Sequence, residues 1–179
     1  MRVAVYGGSF NPPHVGHGMV AAWLHWTDQV DEVWFMPTYA HAFSKELTCF
    51  STRLKWCAAL ASDLGSWAQV TDIEQHLAKP SFSIDSLNAL KDRNPACCFR
   101  FVIGSDVLPD LPKWKSWSEI ETKFSPIVVG RDGYENPDGS VVFPGISSSE
   151  IRARMKAGLT VQKQVSAGVH NLLLHEVPL

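Results

Sequence analysis

Gly7-Gly8-Ser9-Phe10-Asn11-Pro12-Pro13-His14-Val15-Gly16-His17 separates two apolar runs, Arg2 to Tyr6 and Val15 to Trp26. The first reads as a strand and the second as a helix, so the quoted stretch is a strand-to-helix turn with two histidines at the helix start. A helix N-terminus gathers N–H groups that lack intrahelical partners, and these attract anions. Glycines let a backbone approach a phosphate with no side chain in the way. The two prolines hold the turn extended and end the strand. His14 and His17 are three positions apart and share a face on the first helical turn. The chemistry indicated is phosphate handling. The stretch lacks Gly-x-x-x-x-Gly-Lys-Ser/Thr and does not complete Gly-x-Gly-x-x-Gly, so it is neither of the common phosphate loops. His-x-x-His can also bind zinc, but no cysteine pair or nearby carboxylate completes such a site, and no metal-ligating residues are expected.

Outward from this turn, the 179 residues suit one domain over 1–179, large enough for a full core. With 45% hydrophobic and 19% charged residues the composition is globular, and a net charge of −2 gives no support for bulk nucleic-acid binding, so no nucleic-acid partner is expected. No apolar run approaches membrane-spanning length, and the chain opens on a strand rather than a signal peptide. Cys49, Cys57, Cys97 and Cys98 show no Cys-x-x-Cys spacing, and cytosolic thiols are the simplest reading, which places the protein in the cytoplasm. Seven tryptophans suggest buried stacking surface or a substrate platform.

Along the chain, Glu32 to Pro37 reads as a short buried strand, and the polar, aromatic loop from Thr38 to Lys45 follows at its C-terminal end, where open α/β sheets place ligands. Ser51 can cap a helix from Thr52 to Leu64, whose Leu54, Cys57, Leu60, Ala61 and Leu64 form a core stripe. Gln69 to Ile73 is a strand candidate. Ser83 can cap a helix running through Leu90. Phe99 to Ile103 is a buried strand ending in Gly104-Ser105-Asp106, where the carboxylate can accept ribose hydroxyls or cap a helix. Pro126 to Arg131 is a further strand, Asp132 to Gly139 a turn-rich loop suited to mobility, and Val141 to Phe143 a short strand. In Ile146-Ser147-Ser148-Ser149-Glu150-Ile151-Arg152, Ser147 and Glu150 have capping-box spacing. A helix N-terminus, three hydroxyls and an arginine there suit a polyphosphate tail. Val165 to Leu174 fits a closing amphipathic helix. Alternating strands and helices give an α/β fold with a mostly parallel sheet flanked by helices.

Gly7 to Pro12 followed by His14 to His17 closely resembles the signature of the nucleotidylyltransferase superfamily, and Ile146 to Arg152 resembles its second motif, in the same order along the chain. The nearest members are the adenylyltransferases of nicotinate and nicotinamide mononucleotide. The resemblance implies a Rossmann-like nucleotidylyltransferase domain that transfers AMP from ATP to a pyridine mononucleotide and releases pyrophosphate in NAD biosynthesis. It implies that His14, His17 and Arg152 carry catalysis. It implies that Gly8, Ser9, Phe10, Gly104, Asp106, Arg131, Ile146, Ser147 and Ser148 join the histidines and Arg152 around ATP. Lys45, Arg53, Ser81, Phe82, Ser83 and Trp117 correspond to the mononucleotide side, and of the pair that resembles the family's Trp-x-x-Trp element Trp114 is expected to pack inward and Trp117 to face substrate. Cys49 stands where the family has proline, Phe82 where it has tyrosine, and the terminal Glu176 to Leu179 where it often has a tyrosine-bearing segment that bears on homo-oligomer formation. Magnesium, held mainly by ATP phosphates, is implied as the cofactor. Alternatives are a sister enzyme, such as a pantetheine-phosphate adenylyltransferase or a cytidylyltransferase, and a catalytically silent nucleotide-binding regulator.

Overall fold

The computed structural model describes residues 1–39 and 47–175. Strands β1 (Arg2–Gly8), β2 (Glu32–Pro37), β3 (Ala68–Val70), β4 (Cys98–Gly104), β5 (Ile127–Arg131) and β6 (Val142–Phe143) form one sheet in the order β3-β2-β1-β4-β5-β6. Every neighbouring pair is parallel, with β1 registered against β2 from Val3↔Glu32 to Gly8↔Pro37 and against β4 from Arg2↔Cys98 to Tyr6↔Val102. Parallel neighbours need crossovers, and these carry helices α1 (Val15–Trp26), α2 (Phe50–Leu64), α3 (Ser83–Arg93) and α4 (Trp117–Phe124). Helices α5 (Ser148–Lys156) and α6 (Ala167–His175) close the chain. The order reverses between β1 and β4, so a crevice opens past the C-terminal ends of those two strands.

Side-chain alternation along the strands feeds a core on each face of the sheet. Ala4, Val33, Phe35 and Val102 pack with α1, α2, α5 and α6, whereas Val3, Val5, Met36, Phe99, Phe101 and Ile103 pack with α3 and α4. The α2 stripe is wider than its apolar letters suggest. Cys57, Leu60 and Ala61 are buried as expected, and so are Arg53 and Trp56. No helix among the described residues is long and apolar enough to cross a membrane.

Several boundaries and caps differ from the sequence reading, and four bear on the site. The strand expected over Gln69 to Ile73 is only Ala68–Val70, and Ile73–His76 is a 3-10 turn. Helix α2 starts at Phe50 with Cys49 as N-cap, because the Arg53 N–H already reaches the Cys49 carbonyl at 3.2 Å. Helix α3 is capped at Phe82, not Ser83: the Asp85 carboxylate accepts from the Phe82 N–H at 3.1 Å, while the Asp85 and Ser86 N–H groups donate back to the Phe82 carbonyl. Asp85, not a serine, therefore serves this helix end. Asp106 does not cap either; Gly104 precedes the 3-10 segment Ser105–Lys113, with Asp106 in its first turn. The cap at Ser147 is as expected, its hydroxyl accepting from the Glu150 N–H at 3.2 Å.

Candidate active site

A cavity of about 800 Å³ occupies the crevice beyond β1 and β4. Its floor is backbone from the ends of β1, β4 and β5, at Gly7, Gly8, Gly104 and Gly130. One half belongs to the sheet face carrying α1 and α5, with His14, His17 and Ser147 to Ser149. The other belongs to the face carrying α3, with Thr38, Glu74, Ser81 to Ser83 and Trp114.

The turn after β1 holds itself open to the cavity by folding Phe10 inward. Phe10 has a positive φ of 46°, and its ring is 2% exposed between Tyr6, Phe35 and His17. A left-handed residue costs about 1–2 kcal/mol, which burial of a phenylalanine, worth about 1.5–3 kcal/mol, offsets. The turn's carbonyls are taken from outside. Arg53 donates to the Ser9 carbonyl at 2.8 Å, Arg152 to that of Asn11 at 2.7 Å, and the Ser148 hydroxyl to that of Pro12 at 2.8 Å. Such a turn, with its acceptors committed, suits an anion.

Two of these contacts revise expectations. Arg53 is 1% exposed and donates to the carbonyls of Ser9, Thr38 (2.6 Å) and Thr48 (2.8 Å). With its guanidinium committed to the main chain, it braces the site and does not line the cavity. Arg152 also stays off the cavity wall, its fork spent on Asn11 and, at 3.2 Å, on the Ser149 hydroxyl. It ties the start of α5 to the β1–α1 turn.

The histidines are brought together. Their rings stack at 3.7 Å, and the His14 N–H donates to His17 Nδ1 at 3.1 Å. An accepting Nδ1 puts the proton of neutral His17 on Nε2, which makes that atom a donor. Gly16 makes this arrangement possible, since a Cβ there would lie 2.9 Å from His14 Nδ1. Burial, then the Arg131 charge, lowers the His14 pKa to about 4; burial, then His14 and Arg131, holds His17 well below the ordinary imidazole value. Both are neutral at pH 7. His14 Nδ1 is buried without a hydrogen-bond partner among the described residues, a cost that a polar ligand would relieve.

Arg131, at the end of β5, lines the same cavity and donates to Asp106 at 2.9 Å and to the Ile146 carbonyl at 3.2 Å. Gly104 leaves room for this pair, because a Cβ there would run into the Asp106 carboxylate. The loop Asp132 to Gly139, expected to be mobile, is pinned by Asn136. Its Oδ1 accepts from the Arg131 N–H and the Ser105 hydroxyl, each at 2.7 Å, and its Nδ2 donates to the Tyr134 carbonyl at 2.9 Å.

In the other half the tryptophans exchange their expected places. Trp114 lines the cavity beside Phe82 and packs against Phe101, whereas Trp117 opens α4 and meets Trp114 edge-on at 6.0 Å without reaching the cavity. Ser81, Phe82 and Ser83 all lie on the wall, and Lys115 sits 4.8 Å from the Phe82 ring centroid while pairing with Asp85 at 3.1 Å. Glu74, which no sequence pattern singled out, is a buried carboxylate on the same wall. Lys45 lies outside the described residues.

A doubly wound parallel sheet brings a neutral histidine pair and a helix N-terminus to one crevice, an arrangement suited to the phosphates of a nucleotide. The chain belongs to the cytidylyltransferase-like family, whose sequence profile matches residues 5–154. Proteins described as probable nicotinate-nucleotide adenylyltransferases are among those similar to this chain. One described as a probable member of that group, from Myxococcus xanthus, is 42% identical over 138 residues, 77% of this chain and 73% of that protein. Another from Anaeromyxobacter sp. strain K is 39% identical over 90% of this chain and 87% of its own. The nicotinic acid mononucleotide adenylyltransferase of Plasmodium falciparum, solved with NaAD, has the same fold, with a TM-score of 0.79 at 20% identity, over 97% of this chain and 95% of its own.

Proposed function

We propose that the protein is a nicotinate-nucleotide adenylyltransferase, acting in the cytoplasm as one domain spanning 1–179. The observation that carries this reading is one cavity with two chemically distinct halves. The first holds stacked neutral histidines, Arg131 and the capped start of α5; the second holds a tryptophan, Phe82 and serine hydroxyls. The first suits a triphosphate and the second an aromatic mononucleotide.

In the reaction a phosphate oxygen of the mononucleotide forms a bond to the α-phosphorus of ATP as the bond to the bridging oxygen breaks, and pyrophosphate leaves with that electron pair. The attacking group is already an anion, so no protein nucleophile is needed. The work is positioning and stabilisation of charge. His17 Nε2–H would donate to the α-phosphate, His14 would lie alongside, and the Gly8 to Phe10 backbone would cradle the reacting phosphates. The α5 N-terminus at Ser147 and Ser148, together with Arg131, would hold the departing pyrophosphate. Arg152 would act one step removed, by keeping α5 against the turn. Among the described residues no cluster of three His, Cys, Asp or Glu side chains could hold a metal ion. Magnesium arriving with ATP would draw mainly on phosphate oxygens and water, and it would supply charge neutralisation.

The test is pyrophosphate release with ATP and a panel of acceptors. Turnover with nicotinate mononucleotide but not with pantetheine phosphate is expected; the reverse would assign a sister enzyme, and no turnover with any acceptor a binding protein. Within the panel the acid should exceed the amide by about tenfold in kcat/KM, the range open to a charge at a helix N-terminus. The α3 start faces the cavity at Ser83, and Asp85, which would repel an anion, is spent on the Phe82 N–H and Lys115. Equal values for acid and amide would remove the helix-end argument.

Trp114→Ala should weaken mononucleotide binding about tenfold, from lost stacking and burial, and leave ATP unaffected. Trp117→Ala should do less. Separate titrations of each ligand decide this, and a larger effect at Trp117 would reverse the assignment made from the cavity wall.

A further inference from the structure

Glu74 stands in the 3-10 turn Ile73–His76, only 7% exposed, on the wall of the acceptor half. Its two oxygens serve different elements. Oε2 accepts from the Tyr39 N–H at 2.8 Å, just past the end of β2. Oε1 accepts from the Ser86 hydroxyl at 3.3 Å, in the first turn of α3, where Ser86 is fully buried. Behind it Arg53 fixes the Thr38 carbonyl at 2.6 Å and the Ser9 carbonyl at 2.8 Å. Burial raises the Glu74 pKa, and the Tyr39 N–H, the Ser86 hydroxyl and the Arg53 charge oppose the rise.

An ionisable group so enclosed is costly unless its acceptors are used, and a similarly sized apolar residue would fill the space without that cost. What the carboxylate adds is a two-ended link. Thr38 and Ser81 to Ser83, the cavity-wall residues on either side of it, come from the end of β2 and the start of α3. We propose that Glu74 is a positioning residue which, by joining the Tyr39 amide to the Ser86 hydroxyl, sets the spacing between β2 and α3 and hence the fit of the mononucleotide. The proposal rests on the reading of that half as the acceptor site.

Two variants separate reach from charge. Glu74→Gln keeps the length and both contacts, since its amide oxygen can accept from Tyr39 and its NH₂ can donate to Ser86, whose hydroxyl turns round. Glu74→Asp keeps the charge but is one methylene too short to span both partners. Calorimetric titration with nicotinate mononucleotide and, separately, with ATP should find Glu74→Gln within about threefold of wild type for both ligands. Glu74→Asp should be about tenfold weaker for the mononucleotide alone, the effect of losing a hydrogen bond to a charged group. Glu74→Asp equal to wild type, both ligands weakened alike, or Glu74→Gln the more damaged of the two would overturn the positioning role while leaving the adenylyltransferase reading intact. Wild-type protein that binds ATP but no mononucleotide would remove both.

Discussion

His17→Ala is expected to lower turnover by about 10²–10³-fold, the loss typical of one preorganised donor at a site of developing charge. The fold should survive. His17 lies on the first turn of α1, its ring 4.8 Å from Phe10 and 3.7 Å from His14, and its Nδ1 already accepts from the His14 N–H. That bond and that stack fix both the ring and its tautomer, so Nε2–H is aimed before ATP arrives. A neutral donor held in place beforehand needs little reorganisation as charge builds on the α-phosphate oxygens. Alanine removes the donor, and it also frees the His14 ring from its stack. Turnover and thermal melting measured on one preparation separate the outcomes. Near-normal turnover would deny His17 its role, and a collapsed melt would make it a core residue.

The sheet was legible because its strands are short apolar runs ending in turn residues, and because Gly7 to His17 and Ile146 to Arg152 each announce a helix start. The helix ends were less so. At α3 the serine looked like the cap, but the side chain that reaches back to the Phe82 N–H is Asp85; Ser83 and Asp85 carry equally good capping chemistry, and one-residue register is a tertiary outcome. Arg53 shows the same limit at the site. A sequence locates an arginine but not three main-chain carbonyls around it, and the Thr38, Ser9 and Thr48 carbonyls converge on it only in the folded chain. Trp114 and Trp117 were separable only by the course of the 3-10 segment Ser105–Lys113, which presents the first to the cavity. Glu74 and Asn136 were invisible because a polar residue in a turn is ordinarily solvated, and nothing in the letters marks these two as inward.

Arg131→Ala should weaken ATP binding by about a hundredfold, the upper range for a hydrogen bond to a charged group. Two effects add. The guanidinium lost is the cation at the end of β5 that faces the α5 N-terminus through the Ile146 carbonyl, and the Asp106 carboxylate it pairs with at 2.9 Å is left to repel a triphosphate. Arg131→Lys keeps the charge without the fork and should fall between. The same variant carries a pH signature. Arg131 helps to lower the pKa of both His14 and His17 in the folded protein. A histidine whose folded pKa lies below its unfolded value contributes stability that is fully present above about pH 6.5, the unfolded pKa, and is lost as pH falls toward the folded one. For His14 the loss runs down to about pH 4. Without Arg131 the folded values rise, with burial, the larger cause, still holding them below the ordinary imidazole value; the gap narrows, and less stability is lost on acidification. Glu74, whose pKa is raised, contributes in the opposite sense, but it does so in both proteins and leaves the difference unchanged. Melting temperatures of wild type and Arg131→Ala, followed from pH 7 down to about pH 4, where the wild-type His14 value lies, should therefore converge toward the acid end. Parallel curves would show that Arg131 does not act on the histidines, and ATP binding within twofold of wild type would remove it from the nucleotide site.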